Sequence, residues 1–201
     1  MANKNNITAI VLASGYSKRF GSNKLLQPIT GDETEYPMAI QSTLNVLPHV
    51  DHVMMIVRPD DHNLIDECKK LNLQIRLNEH AKNGMSQAIL QGVAHTPPHH
   101  HVMICLADMP YIKADTYQHI IEQFMRNNGQ LIVQPCHDDT AGHPVIFPSH
   151  YKKDLMTLQG DKGAKSIISQ HPHIRIPVND PGILIDVDRP IDILDTPLTL
   201  I

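Results

Sequence analysis

Short apolar segments alternate with segments of helical periodicity along most of this sequence, and this order constrains the fold more than any other feature. The apolar segments, which have the length of strands, are 7–13, 53–57, 74–77, 102–107 and 131–133. The segments with apolar residues at helical spacing lie between them, at 38–46, 60–71, 85–94 and 115–126. The apolar segments lack the polar alternation of strands that face water, as expected for strands buried on both faces. The order therefore predicts an α/β fold with a mostly parallel sheet and helices on both faces.

The pattern is less regular after Cys136, where prolines divide the chain into short pieces. Segments 141–147 and 183–187 are predicted to be strands, and segments 149–158 and 162–170 to be helices. The sequence contains no internal repeat and no long linker, and its 201 residues fit one fairly large domain. We therefore expect a single domain over residues 1–201.

Composition excludes several classes of function. Hydrophobic residues make up 41% of the chain, which is enough for a core of ordinary size and excludes a disordered protein. The formal net charge is −4, and aromatic residues are 4% of the chain with no tryptophan. These values disfavour both a basic surface that wraps a duplex and aromatic platforms that stack bases, so no nucleic-acid partner is expected.

Cysteine spacing and the first residues bear on the cellular setting. Cys68, Cys105 and Cys136 are far apart and odd in number, which predicts neither a disulfide framework nor a thiolate zinc site. The apolar segment 7–13 is too short to span a bilayer and has no signal-peptide cleavage pattern. The expectation is a reduced, cytoplasmic protein without a membrane partner.

The segment LASGYSKRFGSNK at 12–24, which leaves the first predicted strand, has the composition of an anion-binding loop. Ligands of open α/β sheets bind beyond the carboxyl ends of the strands, where this segment lies. Its small residues allow backbone N–H groups to approach phosphate oxygens, and Lys18, Arg19 and Lys24 supply positive charge. The spacing fits neither the P-loop nor the dinucleotide fingerprint. The alternative is a solvated basic turn.

Aspartates accompany the ends of two predicted strands. Segment 102–107 ends directly before Asp108, and segment 183–187 carries Asp186 and leads to Asp188. Alternation along a strand would put Asp186 and Asp188 on one side. A carboxylate at the end of a central strand is well placed to hold Mg²⁺ against a phosphate, and two such positions favour a shared metal ion. The alternative for Asp108 is a turn or a helix cap.

Taken together, these motifs resemble those of a known family. They are LASG at 12–15 with Ser17, Arg19, Gly21 and Lys24, LADMP at 106–110, GHPVIF at 142–147, GDKGA at 160–164 and DVD at 186–188. Their order and composition resemble those of the molybdenum-cofactor nucleotidyltransferases, and the similarity spans about residues 7–194. Within that family the sequence is most similar to the cytidylyltransferase branch.

The resemblance implies a fold, a reaction and roles for charged residues. The fold is a Rossmann-like sheet of the nucleotide-diphospho-sugar transferase type, which binds a nucleoside triphosphate and Mg²⁺. The reaction transfers CMP from CTP to the terminal phosphate of molybdopterin (the molybdenum cofactor) and releases pyrophosphate, so positioning and charge neutralisation dominate. Arg19 and Lys24 are the implied catalytic residues, which contact the triphosphate. Asp108 and Asp188 are the implied metal ligands, with Asp186 as the alternative to Asp188.

The nucleotide-binding positions implied by the resemblance are Leu12, Ala13, Ser14, Gly15 and Ser86. Guanylyltransferase relatives have Gly-Gly at 14–15 and cytidylyltransferases have Ala-Gly, whereas this chain has Ser-Gly. A Cβ atom at position 14 narrows the base pocket and favours a pyrimidine, so CTP is the expected nucleotide. Ser86 lies at a predicted helix start, which attracts anions. The alternative makes Asn83 the helix N-cap and both Met85 and Ile89 core residues.

By the same resemblance, the acceptor is expected to lie against Gly142, His143 and Asp161. The alternative for His143 is that it only holds a loop in place. Asp161 is expected to be a helix N-cap whether or not it also binds the acceptor. The chain departs from the family's pattern at 31–36, where an acidic turn replaces Gly-Lys-Pro, and at 189–192, which reads RPID rather than Thr-Pro-Glu-Asp. The first departure indicates different acceptor or partner docking, and the second removes an acid from a helix start.

The chain contains 14 histidines, which are densest at 95–101, before the strand that leads to Asp108. Imidazoles bind zinc or nickel well, but a solvated turn at the opposite end of that strand from the active site is the favoured interpretation. We therefore expect no transition-metal function there.

Two other functions stand beside the cytidylyltransferase. One is a nucleotidyltransferase that uses GTP or another acceptor, such as a sugar or polyol phosphate, and the Gly-His-Pro segment disfavours that acceptor. The other is a non-catalytic accessory protein that binds the cofactor and delivers it to a recipient molybdoenzyme. An accessory protein would be expected to lack the charged residues that bind triphosphate and metal, yet Arg19, Lys24, Asp108 and Asp188 are all present. A dehydrogenase is disfavoured because the dinucleotide fingerprint is missing.

Overall fold

The computed structural model describes residues 5–16, 20, 23–30 and 34–193. The strands within these ranges are β1 (Ile7–Ala13), β2 (Pro28–Thr30), β3 (Glu35–Pro37), β4 (His52–Val57), β5 (Ile75–Leu77), β6 (His101–Leu106), β7 (Ile132–His137), β8 (Thr140–Ala141), β9 (Val145–Phe147) and β10 (His173–Pro177). The α-helices are α1 (Met38–Val46), α2 (His62–Lys70), α3 (Met85–Ala94), α4 (Ala114–Arg126), α5 (Lys152–Leu155) and α6 (Lys165–Gln170). No helix in the described ranges is long and apolar enough to cross a membrane.

Eight of these strands form one sheet in the order β10-β7-β9-β6-β1-β4-β5, with β8 paired to β7. Strand β1 pairs in parallel with both β4 and β6, and parallel pairing also joins β4 to β5 and β7 to β10. Strands β8 and β9 run antiparallel to their neighbours. Strands β2 and β3 form a separate antiparallel hairpin. The predicted α/β fold with a mostly parallel sheet is confirmed.

The sheet is buried on both faces, because successive side chains of its central strands enter two different hydrophobic clusters. In β1, Ala9 and Val11 belong to a cluster with α1, α2 and α4, whereas Ile10 belongs to a cluster with α3, α5 and α6. Helix α3 approaches β1 so closely that a Cβ atom on Gly92 would overlap the side chain of Ile10. Burial on both faces explains why the strands show no polar alternation.

The strand predicted at 183–187 is wrong. A 3₁₀ helix covers Pro181–Leu184, and residues 185–188 have no regular secondary structure. Pro181 has no N–H to donate to a sheet, and the carboxylate of Asp180 accepts the N–H of Gly182 at 2.9 Å, which favours a turn. The sheet ends instead with β10, which the sequence analysis missed. Asp186 and Asp188 therefore do not lie on a strand.

Three further predicted elements are shorter than expected. Segment 141–147 is divided into β8 and β9 by Gly142-His143-Pro144. Segment 149–158 consists of a 3₁₀ helix at Ser149–Tyr151 followed by the short α5. Helix α6 begins at Lys165 with Ala164 as its N-cap, so the prediction that Asp161 caps this helix is wrong.

Histidines of the 95–101 segment make structural contacts at the amino-terminal end of β6. Nδ1 of His100 lies 3.0 Å from the hydroxyl of Thr8, and Nδ1 of His101 accepts the N–H of Ser149 at 3.1 Å. No group of three or more potential metal ligands occurs in the described part of the chain. His100 and His101 are both partly buried and connect this turn to neighbouring parts of the fold.

Two partly buried histidines, His49 and His101, are expected to make the stability of the fold sensitive to acid. Burial lowers the pKa of His101, with a further contribution from the positive charge of Lys152, and burial also lowers the pKa of His49. The unfolded chain therefore binds these protons more readily than the folded chain. Stability is fully present above about pH 6.5 and decreases as the pH falls toward the folded-state values. Thermal unfolding is expected at a lower temperature near about pH 5.5 than near about pH 7.5.

The matched comparison is His101→Gln against His62→Gln, because His62 is exposed at the start of α2. His101→Gln should reduce the difference between the two unfolding temperatures, whereas His62→Gln should leave it at the wild-type value. If the unfolding temperature changed equally between the two pH values in all three proteins, the result would be inconsistent with this account.

Candidate active site

The carboxyl ends of β1 and β6 lie side by side and open into a cleft of about 510 Å³. The chain continues from β1 toward β4 on one side, and β6 lies on the other, so the cleft is placed where the strand order reverses. This is a common ligand position in open α/β sheets. The sequence-predicted site residues that line the cleft are Leu12, Ser14, Gly15, Lys24, Asp108, Asp161, Asp186 and Asp188.

A buried lysine joins the two predicted metal ligands. Nζ of Lys24 lies 2.7 Å from Oδ2 of Asp108 and 2.7 Å from Oδ1 of Asp188. Lys24 is only 9% exposed. Burial alone would lower its pKa, but the charges and hydrogen bonds of Asp108 and Asp188 outweigh burial and raise the pKa above its ordinary value. Lys24 is therefore charged at neutral pH and holds both carboxylates.

Asp108 is positioned by the contact of α1 with the end of β6. The hydroxyl of Ser42 donates a hydrogen bond to the carbonyl of Ala107 at 3.0 Å, and Nδ2 of Asn45 donates to the carbonyl of Pro110 at 2.7 Å. Both helix residues thus fix the backbone on either side of Asp108. The alternative of a helix cap by Asp108 is wrong, since the N-cap of α4 is Lys113, whereas Asp108 does lie in a turn.

Asp188 is brought to Asp108 by the backbone rather than by strand pairing. The N–H of Val187 donates to the carbonyl of Asp108 at 2.9 Å, and Val187 is fully buried. Its neighbours, Asp186 and Asp188, both line the cleft. The carboxylate of Asp192 accepts the N–H of Asp188 at 3.2 Å and so stabilises the following turn. Asp192 is thus the acidic residue that accepts backbone N–H groups at the start of this turn.

Asp180, which the sequence analysis missed, anchors the segment that leads to these aspartates. It is 1% exposed. Besides the N–H of Gly182, its carboxylate accepts the N–H of Lys113 at 2.9 Å and the hydroxyl of Thr116 at 2.6 Å. Lys113 and Thr116 lie at the start of α4, so Asp180 ties the C-terminal segment to this helix. An aspartate before Pro-Gly signals a turn, but its contact with α4 is not visible in the sequence.

The carboxylate cluster fits a divalent cation. Asp108 and Asp188 converge on one cationic position, taken here by the ammonium group of Lys24, and Asp186 lines the same cleft. Mg²⁺ commonly binds one or two carboxylates and keeps water or phosphate oxygens as its other ligands. Among the described residues, no group of three or more histidine, cysteine, aspartate or glutamate side chains could hold a metal ion.

Ser14 forms part of the cleft wall, and its hydroxyl is fixed from within the protein. Nδ2 of Asn78, which is 1% exposed, donates to Oγ of Ser14 at 3.0 Å. A Cβ atom at Gly15 would meet no atom within 4 Å, so this glycine leaves space in the cleft. Ala13 is 1% exposed and packs in the core, behind the cleft. Asn78 resembles an ordinary loop residue in the sequence, which is why it was missed.

Arg19, the second predicted catalytic residue, lies outside the described residues, as do Ser17, Lys18 and Gly21. Residues 31–33 of the acidic turn lie outside them as well. The roles assigned to these positions stay predictions.

Ser86 lies behind the cleft wall that the start of α3 provides. Ser86 is fully buried, and its N–H donates to the carbonyl of Gly160 at 3.1 Å. Its hydroxyl is buried without a partner among the described residues. The predicted N-cap at Asn83 is wrong, because Gly84 takes that position. Met85 is 48% exposed rather than a core residue, whereas Ile89 is a core residue as predicted. A nucleotide contact by Ser86 stays a prediction that this burial does not favour.

Gly84→Ala is expected to destabilise the protein. Gly84 has φ of +101°, and a Cβ atom would overlap the backbone of Gly160 and lie 2.7 Å from the nitrogen of Asp161. The left-handed conformation and the close approach both disfavour a side chain. We expect a loss of about 1–3 kcal/mol in the free energy of unfolding, measured in urea. Gly163→Ala is the matched control, since its Cβ atom would only reach Sδ of Met85 at 3.4 Å; an equal loss in both variants would argue against this prediction.

A second cavity of about 560 Å³ adjoins the first and shares Leu12, Met85 and Leu106 with it. Gly142 and His143 lie in its wall, whereas Asp161 lines the first cleft. The three predicted acceptor positions are therefore divided between the two cavities. A Cβ atom on Gly142 would overlap the carbonyl of Ile183, so this position requires glycine.

His143 presents a neutral imidazole to the second cavity. Its backbone N–H donates to the carbonyl of Ile183 at 3.0 Å, and its Nδ1 is buried without a partner among the residues described. Burial lowers the pKa of the side chain, and the carbonyl of Ile104 and the charge of Asp108 only partly oppose this effect. The ring is therefore uncharged at neutral pH, and its nitrogen without a partner is buried.

The fold and the cleft together define an α/β nucleotidyltransferase, with a lysine and carboxylates at the carboxyl edge of a mostly parallel sheet. A profile of the MobA-like NTP transferase domain matches residues 9–174. The chain belongs to this family of nucleotidyltransferases.

Two curated relatives match the chain at low identity. The purine catabolism protein PucB of Bacillus subtilis (strain 168) is 23% identical over 201 residues, which covers 92% of this chain and 92% of PucB. The bifunctional protein GlmU of Legionella pneumophila (strain Lens) is 29% identical over 133 residues. That match covers 61% of this chain and 26% of GlmU, so this chain spans about a quarter of that relative.

Solved structures share the fold over nearly the whole chain. An Rv0371c homolog from Mycobacterium sp. strain JC1 has a TM-score of 0.77 and 25% identity, with 94% of each chain covered. Rv0371c of Mycobacterium tuberculosis H37Rv in complex with manganese has a TM-score of 0.71 and 22% identity over 92% of this chain and 95% of that one. Molybdopterin-guanine dinucleotide biosynthesis protein A from Archaeoglobus fulgidus has a TM-score of 0.65 and 16% identity over 92% and 94%. The expected nucleotide-diphospho-sugar transferase-like fold is confirmed.

Proposed function

We propose that this nucleotidyltransferase transfers CMP from CTP to the phosphate of molybdopterin, releases pyrophosphate and depends on Mg²⁺. The observation that carries the proposal is the cluster of Lys24, Asp108 and Asp188 at the carboxyl edge of β1 and β6. Converging carboxylates suit a divalent cation, and a buried lysine suits a triphosphate. The manganese complex of Rv0371c, which shares the fold, supports a divalent metal here.

The reaction needs charge neutralisation more than proton transfer. An oxygen of the acceptor phosphate, which is ionised at neutral pH, attacks the α-phosphorus of CTP. The bond from that phosphorus to the bridging oxygen breaks, and pyrophosphate leaves with the electron pair.

The charged residues of the cleft have complementary roles in this proposal. Asp108 and Asp188 hold the metal, with Asp186 beside them, and bound Mg²⁺ supplies positive charge to the phosphate oxygens. Lys24 donates hydrogen bonds to the α-phosphate or to the leaving pyrophosphate, and Arg19 is the second cation. The acceptor phosphate enters from the second cavity, beside Leu12 and Leu106.

The choice of CTP rests on Ser14. A Cβ atom at this position narrows the cleft wall relative to glycine and favours the smaller pyrimidine. The hydrogen bond from Asn78, at 3.0 Å, keeps the hydroxyl of Ser14 in one orientation, so the wall has a fixed shape. Leu12 and Gly15 complete this wall.

Ser14→Gly is expected to shift the nucleotide preference from CTP toward GTP by about tenfold, because a small change in pocket volume is worth roughly 1–3 kcal/mol of discrimination. The ratio of kcat/KM for the two nucleotides measures this shift. An unchanged ratio would show that the base is selected elsewhere.

The choice of molybdopterin rests on the lining of the second cavity. Apolar side chains such as Ile89, Ile104 and Val145 cover much of its wall. A flat pterin ring buries well against such a wall, in which His143 lies as the predicted acceptor contact. Polar side chains of the same wall, such as Gln134, Ser169 and Arg175, offer hydrogen bonds to the polar edge of the ring.

A competition experiment tests the nucleotide and the acceptor together. Purified protein is incubated with Mg²⁺, molybdopterin and equal concentrations of CTP, GTP and ATP, and the product is identified by mass spectrometry. We expect CMP-linked molybdopterin as the main product. A GMP-linked product would contradict the role of Ser14 and leave the acceptor standing. Tight binding of molybdopterin without any product would favour an accessory protein.

A further inference from the structure

Arg58, the first residue after β4, contacts the segment that leaves β1. Its Nη1 donates a hydrogen bond to the carbonyl of Gly15, and its guanidinium carbon lies 4.5 Å from the centre of the Tyr16 ring. Gly15 and Tyr16 both line the cleft beside Ser14. Arg58 thus holds one wall of the candidate nucleotide site by a hydrogen bond and a cation–π contact.

The same guanidinium group reaches the segment of Lys24 through a buried carboxylate. Nη2 of Arg58 lies 3.6 Å from Oδ2 of Asp61, and both oxygens of Asp61 accept from Nδ2 of Asn23 at 2.9 Å. Oδ1 of Asn23 accepts the N–H of Leu25 at 3.3 Å and begins the 3₁₀ helix that holds Lys24. One connected set of polar contacts therefore joins both chain segments that carry predicted phosphate contacts.

The charge of Arg58 is already neutralised within the protein. The side chain is 13% exposed, and its Nε pairs with Oδ1 of Asp60 at 3.1 Å. Asp61, the second carboxylate, is 5% exposed. A guanidinium group flanked by two carboxylates adds little net charge to the cleft, so its effect on a nucleotide is geometric.

We propose that Arg58 is a positioning residue for the triphosphate, and this inference rests on the proposed function. A trans peptide is planar, so the carbonyl of Gly15 and the N–H of Tyr16 point in opposite directions. By fixing the carbonyl, Arg58 fixes the direction of that N–H, which is a donor of the kind that binds phosphate oxygens. Through the carboxylate of Asp61 it also fixes Lys24 relative to this donor.

The test compares Arg58→Met with Arg76→Met. Arg76 is a partly buried arginine of β5 whose Nη1 donates to the carbonyl of Ile75, so its replacement controls for the loss of an arginine. Binding of CTP, GTP and ATP with Mg²⁺ is measured by calorimetry without acceptor, and kcat and both KM values are measured at steady state. Arg58→Met is expected to weaken binding of the preferred triphosphate by at least about tenfold and to leave the KM for the acceptor unchanged. Arg76→Met should behave as the wild type.

Two further variants separate positioning from charge and from folding. Arg58→Lys keeps the charge, but a single ammonium group cannot bridge the carbonyl of Gly15 and the carboxylate of Asp61 as a planar fork does. Its affinity for the triphosphate is expected to remain near that of Arg58→Met, and full recovery of binding with lysine would overturn the inference. Asn23→Ala breaks only the branch to Lys24 and is expected to lower kcat by about tenfold in protein that remains folded. It decides the question if Arg58→Met does not fold.

The outcomes distinguish the inference from the function on which it rests. If the wild type binds no nucleoside triphosphate, the proposed function fails, and the inference fails with it. If the wild type binds one and both Arg58→Met and Asn23→Ala bind it equally well with unchanged kcat, the function stands and the positioning role is overturned. If Arg58→Met loses thermal stability but keeps the kinetic constants of the wild type, the positioning role is likewise overturned.

Discussion

Asp108→Asn is expected to lower kcat/KM for pyrophosphate release by about 10²–10³-fold, because it removes a negative charge from the position where a metal ion stabilises the transition state. The side chain keeps its size, and Lys24 keeps its second partner, Asp188, at 2.7 Å. Folding is therefore expected to be preserved. The loss should appear mainly in kcat, since the contact acts most strongly in the transition state.

The matched control for this loss is Asp66→Asn, the same chemical change at an exposed position of α2. Asp66 pairs only with Lys69, at 3.1 Å, among the contacts of the described chain, and both side chains are about two-thirds exposed. The control should retain wild-type turnover, because an exposed ion pair contributes little. Turnover of Asp108→Asn within about threefold of the control, a difference of less than roughly 1 kcal/mol, would remove Asp108 from the reaction.

Lys24→Met is expected to have two opposite effects, a loss of turnover of about 10²-fold or more and tighter binding of a divalent cation to the free protein. Turnover falls because a cation beside the phosphates is lost. Metal binding tightens because the ammonium group of Lys24 no longer competes with a divalent cation for Asp108 and Asp188.

Binding of Mn²⁺ without nucleotide, followed by electron paramagnetic resonance, measures the second effect independently of turnover. Lys69→Met, which removes an exposed lysine from α2, is the matched control and should bind Mn²⁺ as the wild type does. Addition of Mg²⁺ should also raise the unfolding temperature of Lys24→Met more than that of the wild type at constant ionic strength. Equal Mn²⁺ affinity in Lys24→Met and the wild type would show that Asp108 and Asp188 do not form a cation site.

The central sheet was predictable because its strands are buried on both faces and are read as uninterrupted apolar segments. The predicted segments 53–57 and 102–107 agree with β4 and β6 to within one residue at each end. Strand β10 was missed because it lies at the sheet edge, where His173 and Arg175 are exposed, and because it ends in a proline. Segment 183–187 is also mostly apolar, and its Ile183 and Val187 are fully buried, but it begins in a 3₁₀ helix and pairs with no strand in the described part of the chain.

The candidate site was predictable one residue at a time, but its contacts were not. Lys24 stands out as a cation of the loop that leaves β1, and Asp108 and Asp188 stand out because each follows a predicted strand. Their meeting depends on the hydrogen bond from Val187 to the carbonyl of Asp108, which joins parts of the chain that sequence spacing cannot relate. Burial of the Ser86 N–H against Gly160 likewise depends on how two loops pack.

The central claim is tested most directly by measuring pyrophosphate release from CTP and Mg²⁺ as a function of molybdopterin concentration. The account predicts release that depends on both the acceptor and the metal and that exceeds release from GTP and ATP. Asp108→Asn should reduce this release to about 1% of the wild-type rate or less. No acceptor-dependent release with any of the three nucleotides, by protein that is folded and binds molybdopterin, would contradict it.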